Sequence, residues 1–438
     1  MLISFLNSRF SLVWIVVVFC VSCDPVNRGL FSKRTPHENY KKRLEDAGLY
    51  DTKMAALWLQ AAEKSLARPT GITIPYKETG YFEMDNPSAS GFIFSAKKGE
   101  MVNVNIETNP ASDLILFIEL WEKNTNEETD LLHAAESDER SIRYEIKKDG
   151  QYIVRLQPEL LQAMAFTITI TTGPSLAYPV NKKDDPRIIS FWGAPRSGNT
   201  RSHEGIDILA PKFTPAIAAA DGHVTRVSVN KLGGKVIFLR PAGKNYSLYY
   251  AHLDSQLVSQ GESVEVGDTI GLIGNTGNAR NTPAHLHFGV YTRSGAINPL
   301  PFVNTDRSPA ISVKADTGLI TKYVRLKNTS YLYTVSSTSS GQKETITQGS
   351  IAKIIAATDD LYKIQLPSQQ ERFIKSDLAT IQPLRTEIIN EPTILVDSPA
   401  TIAPVKKQLL AGSEITVKGV FGDYYFVEWE NIRGWIKK

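Results

Sequence analysis

Both cysteines of this chain, Cys20 and Cys23, stand within its first 23 residues, and no cysteine follows them. A chain of 438 residues built this way cannot fold around a disulfide framework or a Cys-ligated zinc finger, and its body has no thiol nucleophile. Its stability must come from buried apolar surface, and any metal must be held by imidazole or oxygen ligands. At roughly 150 residues per domain there is room for about three cores. The 42% hydrophobic and 22% charged residues argue against a mainly disordered or multi-span membrane protein. Forty-nine Lys and Arg against 46 Asp and Glu leave a formal charge of +3, too little for charge alone to call for a nucleic-acid partner, and none is expected.

At the amino terminus Arg9 precedes an apolar run from Phe10 to Val21, broken by Ser11 and ending at Val21-Ser22-Cys23. A cation, a short apolar stretch and a small residue make the layout of a secretory signal over 1–22, and the run falls short of the ~20 apolar residues of a spanning helix. Phe19-Cys20-Val21-Ser22-Cys23 resembles a bacterial lipoprotein box, with Cys20 where that family usually has Leu. The resemblance implies lipidation of Cys23 and an exported, membrane-anchored protein of the cell envelope, facing the periplasm or wall. The alternative is an ordinary cleaved signal or an uncleaved anchor.

The fold class expected is mainly β and multidomain. Residues 23–70 form a short N-terminal helical segment, in which Ala55, Trp58, Leu59, Ala62 and Leu66 recur at helical spacing before Pro69 stops the pattern. Over 71–178 the period changes to two: Val102, Val104 and Ile106 alternate with asparagines, and Phe166, Ile168 and Ile170 with threonines. Asp149-Gly150 turns into a further strand carrying Tyr152, Val154 and Leu156, so a β-sandwich accessory domain is expected. Polar breaks near 178–187 and 304–312 bound a separate unit at 187–303. Beyond it, Gly349-Ser350 and Tyr362 recur 63 positions later as Gly412-Ser413 and Tyr425, and Phe373-Ile374-Lys375 recurs 62 later as Trp435-Ile436-Lys437. The repeat predicts two small barrels, at 316–382 and 390–438, that resemble bacterial SH3-type domains. Tyr424, Tyr425, Trp429 and Trp435 would serve as barrel core or line a ligand groove.

Five of the seven histidines lie between 203 and 287. His203-Glu204-Gly205-Ile206-Asp207, Tyr249-Tyr250-Ala251-His252-Leu253-Asp254 and His285-Leu286-His287 are each weak metal signals alone. Together they meet the need of a catalytic zinc for about three N or O ligands and one open position. On a strand, His285 and His287 face the same side, so one can hold metal while the other reaches a reacting group. An aspartate beside two neutral imidazoles leaves a zinc site at net +1, and imidazole favours zinc over magnesium. His223, after Asp221-Gly222, is expected at the surface. Arg196 and Asn199, in the loop before His203, would shape the cleft or serve the loop without chemistry. Gly233-Gly234 marks a hairpin between Val224–Val229 and Lys235–Leu239. The glycines of 271–277 are expected to let the backbone approach an extended peptide, since no phosphate-loop Lys accompanies them.

Arg201 to Ile208, Tyr250-Ala251-His252-Leu253, Gly267-Asp268, Ile273 to Gly277, His285 to Phe288 and Asn298-Pro299-Leu300 resemble, in order and spacing, the lysostaphin-type (LytM-like) zinc metallopeptidases that cut peptidoglycan cross-bridges. The resemblance covers 187–303 and implies an antiparallel β-sheet metallopeptidase domain holding one Zn2+ ion through His203, Asp207 and His287. His252 and His285 would be the catalytic pair, and peptidoglycan the substrate. A non-catalytic relative, acting as scaffold or activator of another cell-wall hydrolase, would be expected to lose ligands; here all five positions are filled. A third reading is a wall-binding lipoprotein whose peptidase domain is kept latent by a neighbouring segment.

Overall fold

The structure is a computed structural model that describes residues 33–109, 114–196, 199–305, 309–337 and 341–438, with Lys182 described through its backbone alone. The expected signal 1–22 and the lipidation site Cys23 lie outside the described residues. The chain is mainly β, with few helices. Among the described residues no helix is long and apolar enough to cross a membrane.

Two helices open the described chain, Pro36–Asp46 and Lys53–Ala67. The first starts at Thr35, whose hydroxyl accepts from the Glu38 backbone while the Glu38 carboxylate accepts from the Thr35 N–H, a reciprocal cap. The apolar stripe read from the sequence buries Ala55, Trp58 and Ala62, and Trp58 packs with Tyr40, Leu44 and Phe117. Burying an aromatic of this size contributes roughly 1.5–3 kcal/mol, and the Trp58 indole N–H also donates to the Pro158 carbonyl at 2.8 Å.

The helices cover one face of a β-sandwich. Its first sheet runs Thr70–Gly71, Ser90–Ala96, Gly150–Pro158, Leu116–Lys123, Thr129–Ala134. Because that sheet is covered on both sides, strand Gly150–Pro158 departs from simple alternation. Tyr152, Val154 and Leu156 enter the sandwich core, while Arg155 pairs with the buried Glu119 and Gln157 donates to the Trp58 carbonyl beneath the helices. The second sheet places Tyr76–Phe82, Met164–Pro174, Glu100–Asn109 and Ser141–Glu145 side by side. Val104 lies opposite Ile170 and Ile106 opposite Ile168, all buried as their alternation predicts.

This second sheet does not end at the sandwich. Strand Tyr76–Phe82 also pairs with Ile351–Ala357 of the first C-terminal module, Thr79 opposite Ala357 and Gly80 opposite Ala356. Lys363, 3% exposed, meets the buried Glu78 at 3.5 Å across the same junction. The metallopeptidase-like unit is therefore inserted between two modules that share a sheet. Within the C-terminal region, strands Ile351–Ala357, Leu361–Gln365 and Glu371–Lys375 are followed by Glu414–Phe421, Tyr424–Trp429 and Ile432–Lys437. Trp435 is buried against Phe426 and Ile351, whereas Tyr425 and Trp429 are partly buried beside their module's core.

Between the modules lies an antiparallel sheet in the order Arg187–Ser190, Ile206–Leu209, His285–Thr292, Ser247–Gln256, Gly234–Pro241, Gly222–Asn230, Ser263–Val264. Ile206, Ile208, Leu286, Phe288, Leu248 and Tyr250 fill its core. The sheet docks on the sandwich through Phe302 of the short helix Leu300–Val303. A β-carbon at Gly99 would stand 2.3 Å from the Phe302 ring, so only glycine admits it, and Gly99 has φ +91° besides.

Candidate metal centre and catalytic cleft

Alternation along two paired strands builds the centre. Ile206–Leu209 runs antiparallel to His285–Thr292 with Asp207 directly opposite His287 and Leu209 opposite His285. Since Ile206, Ile208, Leu286 and Phe288 are drawn into the apolar core, the intervening Asp207, His285 and His287 must face the other side. His203 reaches the same point from the preceding loop, where its N–H donates to the Ala194 carbonyl at 2.8 Å and its carbonyl accepts from Gly193 at 2.9 Å.

His203 Nε2, Asp207 Oδ1 and His287 Nδ1 converge: His203 to Asp207 is 3.0 Å, His203 to His287 3.0 Å and His287 to Asp207 2.9 Å. These three residues form a group able to hold a metal ion. The spacing is slightly tighter than the roughly 3.3 Å edge of a tetrahedron with bonds of ~2.0–2.1 Å. Second bonds aim the donors. His203 Nδ1 lies 2.9 Å from the Phe191 carbonyl, which leaves Nε2 for the centre. Asp207 Oδ2 accepts from Arg196, which leaves Oδ1. Burial would raise the Asp207 carboxyl, but hydrogen bonds and charge from His203 and His287 outweigh it and hold the group well below the usual carboxylate range. Burial lowers His287 against the opposing pull of Asp207, favouring the neutral ring that a metal requires.

Gly205 fits this centre for a steric reason. A β-carbon there would lie 2.6 Å from His287 Cε1 and 2.7 Å from Nε2. Gly205→Ala is expected to displace the ring and weaken metal affinity by about 10–100-fold, the scale of lost ligand support. Competition with a chromophoric chelator measures it; unchanged affinity would contradict this role for Gly205.

The second histidine pair stands beside the centre. His252 and His285 have ring centroids 4.9 Å apart, and His252 lies 5.9 Å from His287. Alternation alone would put Ala251, which pairs with His287, and His252 on opposite faces. A φ of +62° at His252 and register shifts on both sides of its strand break the alternation and bring the ring into the cleft. Such a backbone costs about 1–3 kcal/mol in a non-glycine residue and marks functional sites. It is held by the His252 N–H donating to Gly233 at 2.7 Å and by Nδ1 at 2.9 Å from the Thr276 carbonyl. His285 Nδ1 likewise lies 2.9 Å from the Pro283 carbonyl, so both rings have Nε2 uncommitted. Burial, with the neighbouring His285 charge, lowers His252 to about 4, keeping it neutral at physiological pH.

The structure brings all five sequence-predicted side chains into one open cleft, which Arg196, Arg201, Leu232, Tyr249, Asn278 and Tyr291 also line. His223 is exposed and faces none of it, as expected. Arg196 makes a direct contact with Asp207 that no sequence signal announced, while Asn199 does not line the cleft. The glycines of 271–277 differ from expectation. A β-carbon on Gly274 would meet Asp254 at 2.6 Å and one on Gly277 would meet Gly234 at 2.3 Å. They serve close approach between segments of the domain, and none lines the cleft.

Residues 201–299 match the sequence pattern of Peptidase family M23. Similar proteins include the Peptidoglycan DD-endopeptidase ShyC of Vibrio cholerae, 42% identical over 94 residues, 22% of this chain and 21% of that one. The L-Ala--D-Glu endopeptidase of Bacillus subtilis is 35% identical over 127 residues, 27% of this chain and 39% of that one. The uncharacterized lipoprotein YgeR of Escherichia coli is 37% identical over 151 residues, 32% and 58% of the two chains. The match thus spans less than three-fifths of each of these relatives. The motifs, the converging ligands and the family match agree, and the chain carries a peptidase family M23 domain over residues 201–299.

Proposed function

We propose that the chain is an exported, zinc-dependent endopeptidase that hydrolyses peptide bonds in peptidoglycan stem peptides or cross-links. The observation that carries this reading is the convergence of His203 Nε2, Asp207 Oδ1 and His287 Nδ1 beside two histidines whose Nε2 atoms are free. Two imidazoles and one carboxylate, each oriented by a second bond, suit zinc better than magnesium. Bound by these three residues, the ion would supply Lewis acidity and lower the pKa of a water. His252 and His285 would share the proton transfers: one ring accepts the proton of the attacking water, and the other donates to the developing oxyanion or the leaving amine. All lining residues fall between 196 and 291, so among the described residues no neighbouring module stands in the cleft, which supports activity of the full chain. The names of the ShyC and Bacillus relatives support a peptidoglycan substrate. The sandwich and the C-terminal repeat would hold the peptidase near the wall.

The test is incubation of the full chain with isolated peptidoglycan and mass spectrometry of the released fragments. New amine and carboxyl ends within stem peptides or cross-links are expected; new reducing sugar ends alone, or no new ends, would overturn the reading. Anchoring through lipidated Cys23 is supported by the lipoprotein-like box and by the naming of YgeR. Metabolic lipid labelling is expected in the wild type and absent in Cys23→Ala, and equal labelling rules the anchor out.

A further inference from the structure

Beside the ligand set, strand Pro195–Arg196 pairs antiparallel with Arg201–Ser202, and this register places Arg196 directly opposite Arg201. Like charges across a strand pair are destabilising, and both side chains line the cleft. Arg196 is partly compensated: its Nη2 donates to Asp207 Oδ2 and, at 2.8 Å, to Ser190 Oγ. Arg201 is exposed and among the described residues makes no ion pair. The other acid on this wall, Glu204, has its carboxylate 3.5 Å from the Tyr291 hydroxyl.

The charges of the cleft therefore do not close on themselves. The two arginines and the two carboxylates of the lining balance each other, so a divalent ion held by Asp207 and the imidazoles would leave the cleft net positive. A cleft of this sign with an unpaired guanidinium at its edge concentrates anions, and the planar guanidinium suits a carboxylate. Another part of the lining has different chemistry. Leu232 is 53% exposed and its carbonyl accepts from the Asn278 N–H at 3.0 Å; with Gly233 and Ala279 it adds apolar surface to the lining.

We propose that the Arg196–Arg201 pair is a carboxylate-binding subsite, with Arg201 as the direct contact, that selects peptides bearing a free carboxylate next to the scissile amide. The inference rests on the endopeptidase reading above and narrows its substrate class. An acyl-side residue with a single carboxyl has spent it in the scissile bond, so there the free carboxylate belongs to the residue that supplies the amine. The preferred substrate is accordingly a cross-link or branch whose amine donor keeps its α-carboxylate.

The test uses two cross-linked stem-peptide dimers identical except that this carboxylate is free in one and a carboxamide in the other. Binding is measured calorimetrically to the zinc-loaded full chain carrying His252→Asn, so that turnover does not intervene. The carboxylate form is expected to bind about 10-fold tighter, the scale of one exposed charge-assisted contact. Adding Arg201→Gln should bring the two affinities within about 2-fold, and Arg201→Lys should retain part of the preference. Equal affinity for both dimers in the His252→Asn chain, or an undiminished ratio after Arg201→Gln, would overturn the subsite. Cleavage by the unmodified chain is scored separately: its absence overturns the hydrolase reading, while the binding ratio still decides the subsite.

Discussion

His252→Asn and His285→Ala are each expected to slow peptidoglycan cleavage by about 10²–10⁴-fold, the usual contribution of a positioned proton carrier, while leaving the bound metal unchanged. The two rings are placed for this, and the Nδ1 contact of His252 also steadies its own backbone turn. Each has Nδ1 against a backbone carbonyl, Thr276 for His252 and Pro283 for His285, and each turns Nε2 toward the cleft. Asparagine is the informative replacement at 252 because it tolerates the left-handed backbone held there at φ +62°, so loss of activity reports on the imidazole and not on the turn. Single-turnover rates with metal content measured on the same samples separate the outcomes. A variant that keeps more than about a tenth of the wild-type rate would remove that histidine from the proton-transfer pair.

The second large effect is expected at Asp207. Asp207→Ala should abolish stoichiometric metal binding at micromolar zinc and, with it, detectable cleavage, since the ion's Lewis acidity is worth several kcal/mol of barrier. The carboxylate joins more groups than either imidazole: Oδ1 faces His203 and His287, and Oδ2 faces Arg196. Its removal leaves the Arg196 guanidinium with Ser190 alone and deprives both imidazoles of their shared acceptor. Asp207→Asn keeps the shape but loses the charge, so it should fold like the wild type and still lose the metal. Elemental analysis of the two variants checks this, and one zinc per chain in Asp207→Asn would contradict the ligand assignment.

How far the site could be read in the sequence follows from which forces place each residue. Asp207, His285 and His287 were legible because strict alternation on strands flanked by Ile206, Ile208, Leu286 and Phe288 leaves them one face to occupy. His252 was legible as a motif but not as geometry, because a positive φ and shifted register override the alternation that would have turned it away. Arg196 was legible as a loop residue near the cleft, but its contact with Asp207 was not, because a strand of two residues has no periodicity to show which way a side chain points. The glycines of 271–277 misled because a glycine records only that something comes close; here that is Asp254 or Gly234 and no substrate. At the level of the fold, the buried alternations at 102–106 and 166–170 gave the sandwich. The pairing of Gly80 with Ala356 depends on contacts across more than 270 positions, beyond the reach of local pattern. That pairing follows from a strand end left free to extend a neighbouring sheet.

The decisive measurement is the return of activity when zinc is titrated into chelator-treated full-length protein, followed as new amine ends released from isolated peptidoglycan. With His203, Asp207 and His287 as a single ligand set, activity should be absent after chelation, rise linearly with added zinc and break at one equivalent per chain. Cleavage that survives complete metal removal, or no cleavage at any zinc loading, would contradict the account.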